Sequence, residues 1–309
     1  MVKSFVQKLV QPIYQNNLFL LKILTIINSF NLIMKNDENI KSMKLYNDVD
    51  RVYNELKEIG KNDSDSLQVN ELTSFDQLHY HGTYALDYAI KKIGINSNML
   101  ILEIGSGIGG PARYIANKTG ASVVALELQS DQHKVAMDLT ERCGLAKKVE
   151  HICGDFITYN WQGKKFDAIV SWLTLYHIVE HNVLLKNCFN YLKSGGFFYA
   201  EDLFSRKQFS EEELYEISKE MYGNYLPDLE TYKSEIERSG LKLIDYQDMS
   251  EIWAKFTHER NLSYISKKDR HLRVHGKKIY ENMNMFYAFM DRCFSQGKLG
   301  GIRITAKKS

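Results

Sequence analysis

Leu102-Glu103-Ile104-Gly105-Ser106-Gly107-Ile108-Gly109-Gly110-Pro111 is the stretch whose reading decides the fold. An apolar run, residues 99–102, leads into it, and a helical pattern, residues 111–118, leads out of it. Gly105 and Gly107 permit positive φ and let a ligand approach the main chain closely. Pro111 lacks an N–H and has a preset φ, which suits the first turn of a helix. The segment therefore reads as a buried strand, a ligand-facing loop and a helix start. The chain has 19 Gly and only 3 Pro, and one of those prolines sits behind these glycines.

Outward from this loop, strand and helix alternate. The apolar pattern predicts strands at 99–102, 122–126, 149–153, 166–171, 197–200, 241–246 and 302–306, with helices between most of them and a helical stretch at 251–297. Such alternation predicts an α/β Rossmann-like architecture, a mostly parallel sheet with helices on both faces. Ligands bind such sheets beyond the C-terminal ends of the strands.

Three further divisions follow. Residues 1–36 form a basic N-terminal extension with Lys3, Lys8, Lys22 and Lys35 and no acid, the composition of a mitochondrial targeting segment; the other expectation is a cytoplasmic protein. Residues 37–74 read as a polar linker. Residues 75–309 form the main domain, with helical additions at 204–239 and 250–299 on the substrate side. The apolar stretch 18–34 is interrupted by Lys22, Asn28 and Asn31, which argues against a membrane span.

Composition excludes several classes. With 44% apolar and 25% charged residues, the chain is neither collagen-like, disulfide-dense nor wholly disordered. Lys+Arg 40 against Asp+Glu 38 gives a net +2, so overall charge does not point to nucleic acid. The basic run 267–278 lacks a stacking motif and reads as a solvated loop between helices. The four scattered cysteines show no metal-ligand spacing, so no metal is expected.

Gly105, Gly107 and Gly110 satisfy the dinucleotide pattern G-x-G-x-x-G, a weak signal alone. Glu103 discriminates. A carboxylate two residues before the first glycine suits a cationic ligand end better than a pyrophosphate, which argues against a nicotinamide-dependent oxidoreductase. S-adenosylmethionine carries a sulfonium and an ammonium and no phosphate. Glu127, 20 residues after Gly107, is placed to take ribose hydroxyls, and Asp155 to accept from an adenine amino group. Ser106, Gly109, Leu128, Gln132, Phe156 and Ser171 complete the expected cofactor-binding set.

These residues, with 166–170 and 192–196, resemble the class I S-adenosylmethionine-dependent methyltransferases. The resemblance implies a seven-stranded sheet with an antiparallel last strand. Phe75-Asp76-Gln77-Leu78-His79-Tyr80-His81-Gly82, 109–114 and Tyr225-Leu226-Pro227 look like the sarcosine/dimethylglycine N-methyltransferases, while 171–177 and 248–259 are also similar to phosphoethanolamine N-methyltransferases. In the latter, the resemblance implies, a histidine at the position of His177 pairs with an N-terminal tyrosine over the acceptor nitrogen. The expected activity is methylation of a small amine such as sarcosine/dimethylglycine or a phosphobase. His177 is the expected base and Tyr80 orients it; His81, Trp172, Tyr176 and Tyr222 surround the substrate. One alternative is a lipid methyltransferase like cyclopropane-fatty-acid synthase, which the glycine motif and Trp253, Phe256, Tyr287 and Phe289 resemble. Another is a non-catalytic subunit that keeps the fold.

Overall fold

The computed structural model describes residue 40 and residues 43–309. The basic extension expected at 1–36 lies outside the described residues. Seven strands form one sheet in the order β3-β2-β1-β4-β5-β7-β6. They are β1 (Leu100–Ile104), β2 (Ser122–Glu127), β3 (Val149–Cys153), β4 (Phe166–Trp172), β5 (Leu192–Ser205), β6 (Lys242–Asp248) and β7 (Leu299–Lys307). The first five run parallel to one another. The last, β7, lies antiparallel between β5 and β6, as the class I methyltransferase fold requires. The chain order reverses beside β1, so the loop after β1 and the turn after β4 meet at the switch point where such sheets take ligands.

Central strands are apolar without alternation because both faces are covered. One face buries Leu102, Val124, Ile169 and Phe198. The other buries Ile101, Val123, Ala168 and Tyr199 against the helices Gly82–Ile93 (α3) and Gly110–Thr119 (α4). Gly195 and Gly196 lie inside β5. Gly196 packs there so that a side chain would meet the Lys193 and Asp167 carbonyls at 2.9 and 3.0 Å.

The stretch expected as a linker carries two helices, α1 (Arg51–Glu58) and the short α2 (Val69–Leu72). Val52 and Leu56, one turn apart, pack with Leu67 and Leu72 against Ile108, Val135 and Leu139. This segment is therefore part of the core that backs the glycine loop. Two helices follow β6: α9 (Ser250–Ser266) and α10 (Lys268–Ser295), the latter broken at Gly276, whose φ of 80° and ψ of 169° are not helical. The basic run spans their junction. Its arginines are engaged: Arg270 grips Glu55 of α1 at 3.0 and 2.5 Å, and Arg273 grips Glu58 at 2.7 and 2.6 Å. These forked pairs join the C-terminal helices to α1. The remaining helices are α5 (Ser130–Arg142), α6 (His181–Tyr191), α7 (Glu211–Glu220) and α8 (Leu229–Arg238).

Gly110 is where the segment before α3 presses on the glycine loop. A Cβ there would lie 2.3 Å from the Asp76 carbonyl oxygen and 2.9 Å from Gln77 Nε2. The first of these is backbone and has no rotamer to give. Gly110→Ala is expected to lower stability by about 1–3 kcal/mol, the usual cost of overpacking, read as a shifted denaturation midpoint at unchanged slope.

Candidate active site

The glycine loop is held by main-chain bonds from below: Gly105 and Ser106 N–H both donate to the Leu126 carbonyl, at 2.9 and 3.0 Å. Gly105, Gly107 and Gly109 adopt φ of 70°, 54° and 79°, conformations that glycine takes without strain. Gly105 is further constrained, because a side chain would overlap the Thr174 methyl at 2.2 Å. Glu127, at the end of β2, bridges two loops: it accepts from Gly107 N–H at 2.8 Å and from Gln129 N–H at 2.9 Å.

Glu103 is 1% exposed, and its Oε2 has no hydrogen-bond partner among the described residues. Burial pushes its carboxyl well above the usual carboxylate range, while the Arg113 charge opposes that shift. Ser106 Oγ, Gln129 Oε1 and both amide atoms of Gln132 are likewise buried and unpartnered. All four residues line one cavity above the strand ends, together with Asp155, Leu128 and Phe156. Asp155 accepts from Ile157 N–H at 2.9 Å, and its carboxyl is raised by burial. An acid for an ammonium, acids for hydroxyl and amino donors, and amides for a carboxylate or ring nitrogens make a donor set that fits S-adenosylmethionine.

Of the other residues expected to bind cofactor, Gly105 and Gly107 line this cavity. Gly109 and Ser171 do not. Gly109 faces Arg113 and His151, where a Cβ would stand 2.8 Å from each. Ser171 lies under the floor and donates to the Ile104 carbonyl at 2.9 Å.

The opposite half of the cavity holds His177, in the 3₁₀ turn Leu175–His177. Its Nδ1 lies 2.8 Å from the Tyr222 carbonyl. Burial pulls the imidazole down to about 4, so it is neutral at pH 7. A neutral ring that donates from Nδ1 to a carbonyl leaves Nε2 as an acceptor. Nε2 faces the Tyr46 hydroxyl at 3.4 Å, and burial followed by the Glu127 charge holds Tyr46 protonated. The ring partner of His177 is thus Tyr46, where Tyr80 was expected. Tyr80 lines the cavity from an aromatic group, 5.0 Å from Trp253 and 5.3 Å from Phe256. Tyr46 stood in the presumed linker. The signal that marks it is Tyr46-Asn47-Asp48, an aromatic followed by turn-forming residues just before an amphipathic helix.

Trp172 and Tyr176 also line the cavity. His81 and Tyr222 stand outside its wall: His81 packs on Phe256 at 4.5 Å, and Tyr222 contributes its carbonyl to His177. Ile40, Met43, Leu45, Leu203, Phe286 and Met290 form an apolar wall around this half, and Arg260 stands among them. Sequence patterning did not single out any of these seven. Among the described residues, no group of three His, Cys, Asp or Glu is placed to hold a metal, and no helix is long and apolar enough to cross a membrane.

The profile of mycolic acid cyclopropane synthetases matches residues 71–304. A sterol 24-C-methyltransferase of Aspergillus fumigatus is 35% identical over 111 residues, covering 36% of this chain and 29% of that protein. The aligned stretches span between 28% and 44% of the lengths of the curated relatives. Among solved structures, the cyclopropane synthase MmaA2 of Mycobacterium tuberculosis superposes with a TM-score of 0.69 at 17% identity, covering 88% of this chain and 98% of that one. A phosphoethanolamine N-methyltransferase of Haemonchus contortus gives a TM-score of 0.70 at 19% identity, covering 85% and 60%. These likenesses between structures establish the shared fold.

Glu103→Gln is expected to weaken S-adenosylmethionine binding roughly 10- to 100-fold, the worth of a charged hydrogen bond. The sign of the pH effect follows from the raised carboxyl. A cationic ligand selects the ionised form, so wild-type affinity falls as pH drops below the raised Glu103 pKa, and binding at or below that pKa releases protons. Calorimetry in buffers of different ionisation enthalpy reads that release. Equal affinity in the variant would remove Glu103 from the site.

Proposed function

We propose, starting from the fact that this chain belongs to the mycolic acid cyclopropane synthetase family, that it is an S-adenosylmethionine-dependent methyltransferase whose acceptor is an apolar, lipid-like molecule. The observation that carries this reading is the wall of the acceptor half, where Met43, Leu45, Leu203, Phe286 and Met290 are all buried hydrocarbon or aromatic side chains around one cavity. Apolar lining of this kind recognises apolar ligands by area removed from water. The sterol and cyclopropane-forming relatives support it.

When bound, S-adenosylmethionine supplies an electrophilic methyl group on a sulfonium. Glu103, Glu127 and Asp155 hold the cofactor side, with Gln132 and Ser106 beside them. The apolar wall excludes water and fixes the acceptor atom in line. An acceptor that becomes cationic on methylation, whether alkene or amine, faces the rings of Trp172, Tyr176 and Tyr80. Neutral His177 Nε2 takes the proton such an acceptor sheds, and Tyr46 orients the ring.

A second reading, methylation of a small amine or phosphobase, rests on one observation: the 3.4 Å approach of the Tyr46 hydroxyl to His177. This is the histidine–tyrosine pairing that the resemblance to phosphoethanolamine N-methyltransferases implies.

Methyl-labelled S-adenosylmethionine, offered with unsaturated fatty-acyl lipids, sterols, sarcosine and phosphoethanolamine in parallel, separates the readings. Label is expected in the organic phase. Label only in water-soluble amines would replace the lipid reading with the amine one, and label in neither would sink both. His177→Ala is expected to lower kcat at least ~100-fold, the lower end for a general base, with cofactor affinity unchanged by calorimetry.

A further inference from the structure

The connection between α7 and α8 closes over the 3₁₀ turn that carries His177. Tyr222 presents its carbonyl to His177 Nδ1 at 2.8 Å. The main-chain N–H groups of Asn224 and Tyr225 both donate to the Tyr176 carbonyl, at 3.1 and 3.0 Å, which fills both of its lone pairs. Asn224 Nδ2 donates to the His177 carbonyl at 3.1 Å. From the opposite side, buried Asp202 on β5 accepts from the Tyr176 N–H at 3.3 Å and from the Tyr232 hydroxyl at 3.0 Å.

The connection is itself held at both ends. Gly223 N–H donates to the Ile217 carbonyl of α7 at 3.3 Å, and the packing is so close that a Cβ on Gly223 would stand 2.6 Å from Ile217 Cγ2. Tyr225 stacks on His181 with ring centroids 4.8 Å apart, and its hydroxyl donates to buried Glu235 of α8. The other oxygen of Glu235 lies 2.8 Å from His181 Nδ1. Tyr222 and Leu173 adopt φ of 50° and 53°, left-handed conformations that L side chains seldom take. Each aims a main-chain group: the Tyr222 carbonyl at the imidazole, and the Leu173 N–H at the Glu201 carbonyl at 2.7 Å. Such conformations persist where the surrounding structure over-determines them, and here both stand beside the His177 turn.

We propose that Asn224 is a positioning residue for the methyl-transfer reaction: by tying the His177 carbonyl to this connection, it keeps the Tyr222 carbonyl in front of Nδ1 and so selects the imidazole tautomer whose Nε2 accepts. The inference rests on the reading of His177 as the base and names what keeps that base in its working form. Which ring nitrogen carries the proton is set by the hydrogen bond the other makes; without a partner for Nδ1–H the proton sits mainly on Nε2, where the ring cannot accept from the cavity. Asn224 does not line the cavity, so it acts through His177 and not on cofactor or acceptor. The bond requires a donor at the end of a short side chain, which an amide supplies and a carboxylate of the same shape does not.

The test reads the tautomer of His177 by nitrogen NMR of the full chain, labelled in its histidine rings, near neutral pH; the His177 signals are those lost in His177→Gln. The wild type is expected to carry the proton on Nδ1. Asn224→Asp, which keeps the shape and loses the donor, is expected to move the tautomer ratio about fivefold or more toward Nε2–H, the worth of one neutral hydrogen bond. Its affinity for S-adenosylhomocysteine, measured by calorimetry, is expected to stay unchanged. If Asn224→Asp does not fold, Asn224→Ala makes the same comparison. A lowered denaturation midpoint with the tautomer unmoved makes Asn224 merely structural and overturns the proposal, leaving His177 as the base. A wild-type ring protonated on Nε2 overturns the proposal and the base reading together. A tautomer that moves in Asn224→Asp, beside an unchanged kcat in His177→Ala, upholds the selection of tautomer and overturns the base reading alone.

Discussion

A single buried guanidinium ties the parts of this site together. Arg113 is fully buried and donates to Asp76 Oδ2 at 3.0 Å, to the Ile108 carbonyl at 2.7 Å and to Thr140 Oγ1 at 3.3 Å. It thereby fastens the segment before α3, the glycine loop and α5 to one point. Asp76 continues the connection: it accepts from Gln77, whose carbonyl oxygen faces His79, whose other ring nitrogen faces the Tyr80 carbonyl. Losing one partner of such a buried pair typically costs about 3–5 kcal/mol, because the other charge is left uncompensated. The same positive charge also favours ionisation of Glu103, the carboxylate at the cofactor end. Structural tie and electrostatic tuning are thus vested in one side chain.

The helical cap is joined differently. Arg270 and Arg273 meet α1 near the surface, where ion pairs are screened and contribute little singly. Apolar packing does more: Tyr80, Trp253, Phe286 and Met290 share one cluster with Met43 and Leu45. The floor of the cavity is therefore held by a buried network, and its roof by apolar packing with a charged rim.

The sheet was legible because buried parallel strands and the glycine loop are local patterns: a run of apolar residues, three glycines and an acid two residues upstream. Glu127 and Asp155 were legible because both end predicted strands. The acceptor half was not, because its residues are scattered. Tyr46 and Leu45 precede α1, Leu203 belongs to β5, and Arg260, Phe286 and Met290 come from two late helices. In sequence each looks like an ordinary core or surface residue, and only the tertiary arrangement brings them to one space. Arg270 and Arg273 were misread for a similar reason. Their partners Glu55 and Glu58 lie 215 residues away in the chain, so the run looked like a solvated patch.

Thr174 occupies the space that a side chain on Gly105 would need, and its carbonyl accepts from His177 N–H at 3.0 Å. The loop that meets the cofactor and the turn that carries the imidazole are therefore geared together as one block. The helices that wall the acceptor are not part of that block. Substitutions at Phe286 or Met290 are expected to reshape the apolar wall of the cavity while leaving the glycine loop and the His177 turn in place. In such an architecture, reactivity is inherited as a unit and substrate choice is free to drift.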